Sequence, residues 1–461
     1  MNLKQIHRVY FLGIGGIGMS ALARYFASEG KKTAGYDRTC TPLTEELSQL
    51  GIKIHYEDNV KLIPDEYLHP EDTLVIITPA VPGDNHELAY FRQNNFIIHK
   101  RAEVLGLISR DKKALCVAGT HGKTTISSMV AWLMHNSEIG CSAFLGGISK
   151  NFNSNFVKSA ASEYIVVEAD EFDRSFLYLR PEIAVITATD ADHLDIYGSH
   201  SEVVKSFEAF TELIHRDGKL IMKQGLGLKV HNAEIEVFTY SLHGKADYYA
   251  ENIRLEQGKY HFDVVTPVEI IKNLSVSHPG IVNVENAVAA VAVATLNDVS
   301  RHVIKEWLPL FKGIKRRFDI NYESDKAVYI DDYAHHPREI EATIHSVKQL
   351  YPGKKITVVF QPHLYSRTRD LAAEFAESLD KTDEVILLDI YPARELPIEN
   401  VDSDIILNKI KHADKMLITK EQLIDTLRDI DLQVLVTLGA GDIDIYCEAI
   451  RQMFINRYGN E

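Results

Sequence analysis

The chain has 461 residues, 45% of them hydrophobic and 25% charged, an ordinary globular composition long enough for about three domains. Its formal net charge of −15 excludes nucleic acid as the main partner, because a phosphate backbone demands a basic surface. Nucleotide binding stays open, since it needs only local positive groups. Four scattered cysteines, Cys40, Cys116, Cys141 and Cys447, form no Cys-x-x-Cys pair. Neither structural zinc nor a disulfide framework is expected, and a cytoplasmic location fits. No apolar run approaches the ~20 residues of a membrane helix.

The first element is a strand at residues 9–12, followed by Gly13-Ile-Gly-Gly-Ile-Gly18 and a helix to about residue 28. A signal-peptide core is the rival reading of 9–19, but four glycines and the polar helix beyond favour a domain. Gly13, Gly15 and Gly18 match Gly-x-Gly-x-x-Gly between strand and helix, the context of a diphosphate-binding loop. Gly16 lies within it. Asp37 ends the next strand pattern, where a ribose-binding acid would sit. A buried strand follows at 73–78, and a domain boundary is expected near residues 104–112, where a helix gives way to the polar Ser-Arg-Asp-Lys-Lys.

The apolar run Ala114-Leu-Cys-Val-Ala118 leads into Gly119-Thr-His-Gly-Lys-Thr-Thr125, and residues 126–135 read as a helix. This is a compact phosphate loop, with Val117 where the general pattern has glycine. Gly119 and Gly122 admit phosphates close to the backbone. The helix amino end offers unpaired N–H groups, Thr120, His121 and Thr125 complete the expected ATP-binding stretch, Lys123 reaches the β/γ-phosphates and Thr124 can ligate Mg²⁺. Glu168, just past the strand at 164–167, offers a hard oxygen to Mg²⁺. Asp190-Ala-Asp-His193-Leu-Asp195 follows the strand at 183–187, and His193 can bind a second metal or guide a proton. A helix is expected at 201–215. Residues 225–276 look like a small accessory sheet. Asn283 and Asn286, three apart at the start of an alanine-rich helix, face the same way and suit an adenine edge.

Arg317, in the basic cluster Lys315-Arg-Arg-Phe318, can neutralise phosphates. The last third carries Asp331-Asp332-Tyr333-Ala-His335-His336-Pro337 and Phe360-Gln-Pro-His363-Leu-Tyr-Ser-Arg367, each after a strand, with a helix at 337–350. Arg367 can grip a carboxylate with paired hydrogen bonds. A third strand–glycine–helix unit, Val434-Leu-Val-Thr-Leu-Gly439-Ala-Gly441-Asp442, closes the pattern. Continuous apolar strands alternating with helices predict an α/β fold with parallel sheets. The expected domains are 1–108, 109–314 and 315–461: Rossmann-like, P-loop ATPase-type and Rossmann-like.

Together these motifs resemble the Mur ligases, the ATP-dependent amide-forming enzymes of peptidoglycan precursor synthesis. The resemblance spans essentially the whole chain, and the histidine of Gly-Thr-His-Gly-Lys with Phe-Gln-Pro-His resembles the alanine-adding branch. It implies UDP-N-acetylmuramate, L-alanine and ATP as substrates, with the UDP-sugar on the first domain, ATP on the second and the amino acid on the third. It also implies Mg²⁺ at Thr124 and Glu168, and a second ion at His193. Asn283 and Asn286 would meet adenine, Arg317 the phosphates and Asp332 the ribose side; Tyr333, His363 and Arg367 would surround the amino acid. Val282 stands where the family commonly has histidine, and Leu364 where it has arginine. Phe207 occupies the place of the carbamylated lysine of later ligases, so no such modification is expected, and Lys205 reads as a helix-surface lysine. A tripeptide-adding ligase, a non-catalytic nucleotide sensor and a dinucleotide-dependent oxidoreductase are the rival readings. A monomer or homodimer is expected.

Overall fold

The computed structural model describes residues 3–190, 194–277, 280–393, 395–411 and 414–459. The chain forms two compact bodies, one of residues up to Ser277 with Val282–Lys312, the other running from Gly313 onward.

The first body carries two sheets. Strands β1 (Arg8–Leu12), β2 (Lys32–Tyr36), β3 (Lys53–His55), β4 (Thr73–Ile77) and β5 (Ile97–Lys100) lie in the order β3-β2-β1-β4-β5. All pairs are parallel. The order reverses at β1, where doubly wound sheets bind ligands at their carboxyl ends.

The second sheet holds β6 (Lys113–Ala118), β7 (Ser142–Ser149), β8 (Ser154–Val157), β9 (Tyr164–Glu168), β10 (Pro181–Ile186), β11 (Lys219–Lys223), β12 (Glu236–Ser241), β13 (Tyr248–Glu256), β14 (Lys259–Val265) and β15 (Ile270–Val276). Their order is β15-β14-β13-β12-β11-β10-β6-β9-β7-β8. The expected separate accessory sheet is therefore corrected. Strand β12 pairs parallel with β11, Lys219 against Glu236 through Lys223 against Tyr240, so β12–β15 extend the main sheet. The helix Val282–Leu296 is apolar all round because it packs against both the helix Lys123–His135 and the sheet. Tyr25 on the helix Ile17–Ser28 sits 5.6 Å from Phe144 and 6.0 Å from Phe156, joining the two sheets' cores.

The second body orders β16 (Asp319–Glu323), β17 (Val328–Asp332), β18 (Ile356–Phe360), β19 (Glu384–Leu387), β20 (Lys415–Leu417) and β21 (Val434–Leu438) as β16-β17-β21-β18-β19-β20. Only the β16–β17 pair is antiparallel. The sequence predicts a helix from about residue 443, but it starts later, since a 3₁₀ turn, Asp442–Tyr446, precedes Cys447–Tyr458. No helix among the described residues is long and apolar enough to cross a membrane.

Candidate active site

The phosphate loop joins β6 to the helix Lys123–His135 and lies beside the ends of β9 and β10. Gly119 has φ +125°, and a Cβ there would fall 2.1 Å from Thr187 Oγ1, so a side chain at 119 would collide with the chain leaving β10. Gly122 caps the helix at φ +80°, a left-handed conformation that favours glycine. The loop is pinned to the β10 exit: Thr120 N–H donates to Ala188 O at 3.1 Å, and Asp190 N–H to Thr120 Oγ1 at 3.2 Å. Thr187 Oγ1 donates to His121 O. His121 Nε2 lies 3.3 Å from Asp190 Oδ2.

Lys123 Nζ donates to Gly119 O and to Glu171 Oε1, each at 2.8 Å. The lysine side chain is 16% exposed and that of Glu171 only 2%. Burial alone would lower the lysine, but Glu171, Asp170 and Glu168 outweigh it and hold the ammonium above its ordinary range. Burial pushes Glu171 upward, against the pull of Lys123. Thr124 Oγ1 donates to Glu168 Oε1 at 3.1 Å, and Gly146 N–H donates to Glu168 Oε2 at 3.0 Å. Asn286 Nδ2 donates to Asn283 Oδ1 at 3.0 Å, and Asn286 Oδ1 sits 3.0 Å from where a Gly122 Cβ would be. The asparagine pair thus borders the phosphate loop. His193 lies outside the described residues. Phe207 is buried, and Lys205 Nζ bonds Glu202 at 2.7 Å on an exposed surface.

In the amino-terminal loop, Gly13 N–H donates to Tyr36 O at 2.8 Å and Gly16 N–H to Gly13 O at 3.3 Å. Asp37 Oδ2 accepts from Gly15 N–H at 2.7 Å, and Asp37 Oδ1 from Thr39 N–H at 3.0 Å. Gly18 faces Arg101.

The second body gathers its polar groups past β17, β18 and β21. The Arg317 guanidinium stands 5.0 Å from the centre of the Tyr333 ring, and Arg316 stands 5.2 Å from it. Arg316 is structural: it donates to Gly439 O at 2.7 Å and pairs with Asp331 at 3.3 Å. It thereby fixes the third glycine loop, against which Gln361 is packed. Tyr333 and His335 rings lie 5.3 Å apart, His335 and His363 6.0 Å, and His363 stacks on Tyr391 at 5.7 Å. Burial pushes His335 down, and Arg367 and Arg317 add to that against the pull of Glu339. Arg367 Nη1 is buried without a hydrogen-bond partner among the described residues. Asp332 accepts from Thr343 Oγ1 at 2.7 Å and from Ala334 N–H at 3.2 Å. Burial pushes its carboxyl up to about 6. Leu364 takes φ +72° with its side chain buried, so the position that departs from the family arginine is part of the packing.

Glu171, His335, Tyr391 and Arg101 join these groups without a role that the sequence alone assigns. Glu171 and His335 lie inside the acidic and histidine motifs after their strands. Tyr391 reaches His363 through an isolated parallel bridge that no local pattern signals.

Family models agree with this architecture. Residues 8–113 match the Mur ligase family catalytic domain, 117–294 the Mur ligase middle domain and 316–442 the Mur ligase glutamate ligase domain. A UDP-N-acetylmuramate–L-alanine ligase of Phocaeicola vulgatus is 51% identical over 453 residues, covering 98% of each chain. The corresponding ligase of Flavobacterium psychrophilum is 51% identical, covering 96% of this chain and 97% of its own. The solved UDP-N-acetylmuramate–alanine ligase of Thermotoga maritima superposes with TM-score 0.82 at 29% identity, over 98% of this chain and 99% of that one. A murein peptide ligase of Psychrobacter arcticus, at TM-score 0.71 and 22% identity over 99% of both chains, shares the fold. The chain belongs to the Mur ligase family.

Proposed function

We propose that this chain is an ATP-dependent ligase that joins the amine of L-alanine to the carboxylate of UDP-N-acetylmuramate in peptidoglycan precursor synthesis in the cytoplasm. The observation that carries the chemistry is Lys123, held charged beside Gly119 and Glu171 with the Thr124–Glu168 pair next to it. The full-length likeness to alanine-adding ligases supports the choice of acceptor.

The muramyl carboxylate attacks the γ-phosphorus of ATP, giving an acyl phosphate and ADP. The neutral amine of alanine then attacks the acyl carbon, loses a proton and expels inorganic phosphate. The loop of residues 119–125 cradles the ATP phosphates with N–H groups at the helix amino end, that of Thr120 being taken by Ala188 O, and the Lys123 ammonium stabilises the charge that moves onto the transferred phosphoryl group. Thr124 and Glu168 offer adjacent hard oxygens, a donor set that suits Mg²⁺ alongside phosphate oxygens and water. These two residues would hold one ion, and His193 a second. When bound, Mg²⁺ neutralises phosphate charge. Asn283 and Asn286 serve the nucleotide, and Arg317 and Asp332 keep the nucleotide-facing roles that the family resemblance implies. Residues 1–108 carry the UDP-sugar on Gly13, Gly15, Gly16, Gly18 and Asp37, 109–314 carry ATP, and 315–461 carry alanine at Tyr333, His363 and Arg367.

Oxygen-18 in the carboxylate of UDP-N-acetylmuramate tests the acyl phosphate. One labelled oxygen should leave with each inorganic phosphate released. Unlabelled phosphate from labelled substrate would rule out carboxylate attack on ATP.

A further inference from the structure

Arg101 opens the helix Arg101–Arg110, directly after β5 and behind Lys100 as N-cap. That is an unfavourable place for a cation, because the helix amino end already carries partial positive charge. The side chain nevertheless lies against two features far away in the chain. A Cβ at Gly18 would fall 2.7 Å from Arg101 Nη1 and 2.9 Å from its Cδ, so the arginine lies directly on the last glycine of the amino-terminal loop. Arg101 Nη2 also donates to Asp170 Oδ2 at 3.3 Å. With Glu168 and Asp170 it lines a crevice backed by Phe176 and Leu179.

The charge around the glycine loop makes this placement informative. Asp37 already takes the Gly15 N–H, so a diphosphate settling there meets a like charge, and Arg101 supplies the opposite one. Its fork geometry suits two phosphate oxygens better than the single carboxylate oxygen it now holds. We propose that Arg101 is a diphosphate-binding residue for the UDP-sugar, and that the diphosphate takes the guanidinium over from Asp170. This rests on the reading of Gly13–Gly18 as the UDP-sugar loop. It explains the glycine at 18, since any side chain there would push the arginine away. It also ties occupancy of the glycine loop to release of Asp170, two residues from Glu168.

Calorimetric titration of the full-length protein with UDP-N-acetylmuramate, UDP and uridine tests the proposal, using the wild type, Arg101→Ala, Arg101→Lys and Gly18→Ala. Arg101→Ala should weaken UDP-N-acetylmuramate and UDP by roughly tenfold or more, the usual worth of a charge-assisted contact, and leave uridine unchanged. Gly18→Ala should give the same pattern, and Arg101→Lys should recover part of the affinity. Undiminished UDP affinity in Arg101→Ala, or an equal loss for uridine, would overturn the proposal while leaving the loop reading intact. A wild-type protein that binds neither UDP-N-acetylmuramate nor UDP would overturn both.

Discussion

The Lys123–Glu171 pair concentrates most of the chemistry in one contact. Glu171 is nearly fully buried, and its Oε2 has no hydrogen-bond partner among the described residues, so Lys123 is what makes its burial tolerable. Removing one partner of such a pair leaves an uncompensated buried charge, at a cost on the order of 3–5 kcal/mol. Lys123→Ala and Glu171→Gln should each lower stability in chemical denaturation. The double variant should lose clearly less than the sum, because each change removes the same interaction. Additive losses would show that the two groups do not depend on each other. The sequence made Lys123 conspicuous, because glycines, lysine and threonines stand side by side. It could not single out Glu171 from its neighbours Glu168, Asp170 and Asp173. The choice is made by the left-handed backbone at Asp173 and Arg174 in the turn after β9, and by Tyr197, whose hydroxyl bonds Glu171 O at 2.6 Å.

Among the elements, strand ends do the positioning. The phosphate loop follows β6, Glu168 ends β9 and Thr187 follows β10, so three adjacent parallel strands deliver one site. Parallel strands were legible because burial on both faces leaves uninterrupted apolar runs. Strands β12–β15, at one end of the sheet, read from the sequence as an accessory sheet, since their irregular pattern does not say that β12 pairs with β11. A second buried acid shows how a strand's own chemistry escapes the pattern. Glu87, at the start of the helix His86–Gln93, accepts from Tyr10 of β1 at 2.8 Å and from Asn59 N–H at 3.2 Å. Burial pushes its carboxyl up to about 7 from an ordinary 4.5. Folded Glu87 therefore keeps a proton that the unfolded chain releases, and its contribution to stability falls as pH rises from 4.5 to about 7. The total is roughly 3–4 kcal/mol at 1.4 kcal/mol per unit. Glu87→Gln should gain on wild type by that amount across this window, measured by denaturant unfolding at each pH. A constant difference between the two proteins would contradict the assignment.

For the molecule as a whole, both glycine-rich loops of the first body meet the acidic turn after β9, Gly18 through Arg101 and Gly119 through Lys123. The second body keeps a separate cluster of Tyr333, His335, His363, Tyr391 and Arg367, with a buried Nη1 on the arginine that has no partner among the described residues. A non-catalytic sensor needs no such third cluster, and an oxidoreductase needs no Lys123. Phosphate release from ATP, followed with UDP-N-acetylmuramate and a panel of acceptors that includes L-alanine and the murein tripeptide, tests the central claim most directly. Release should require both the UDP-sugar and L-alanine, and should fall at least about a hundredfold in Lys123→Ala. Release driven by the tripeptide instead, release without any acceptor, or near-normal turnover in Lys123→Ala would contradict it.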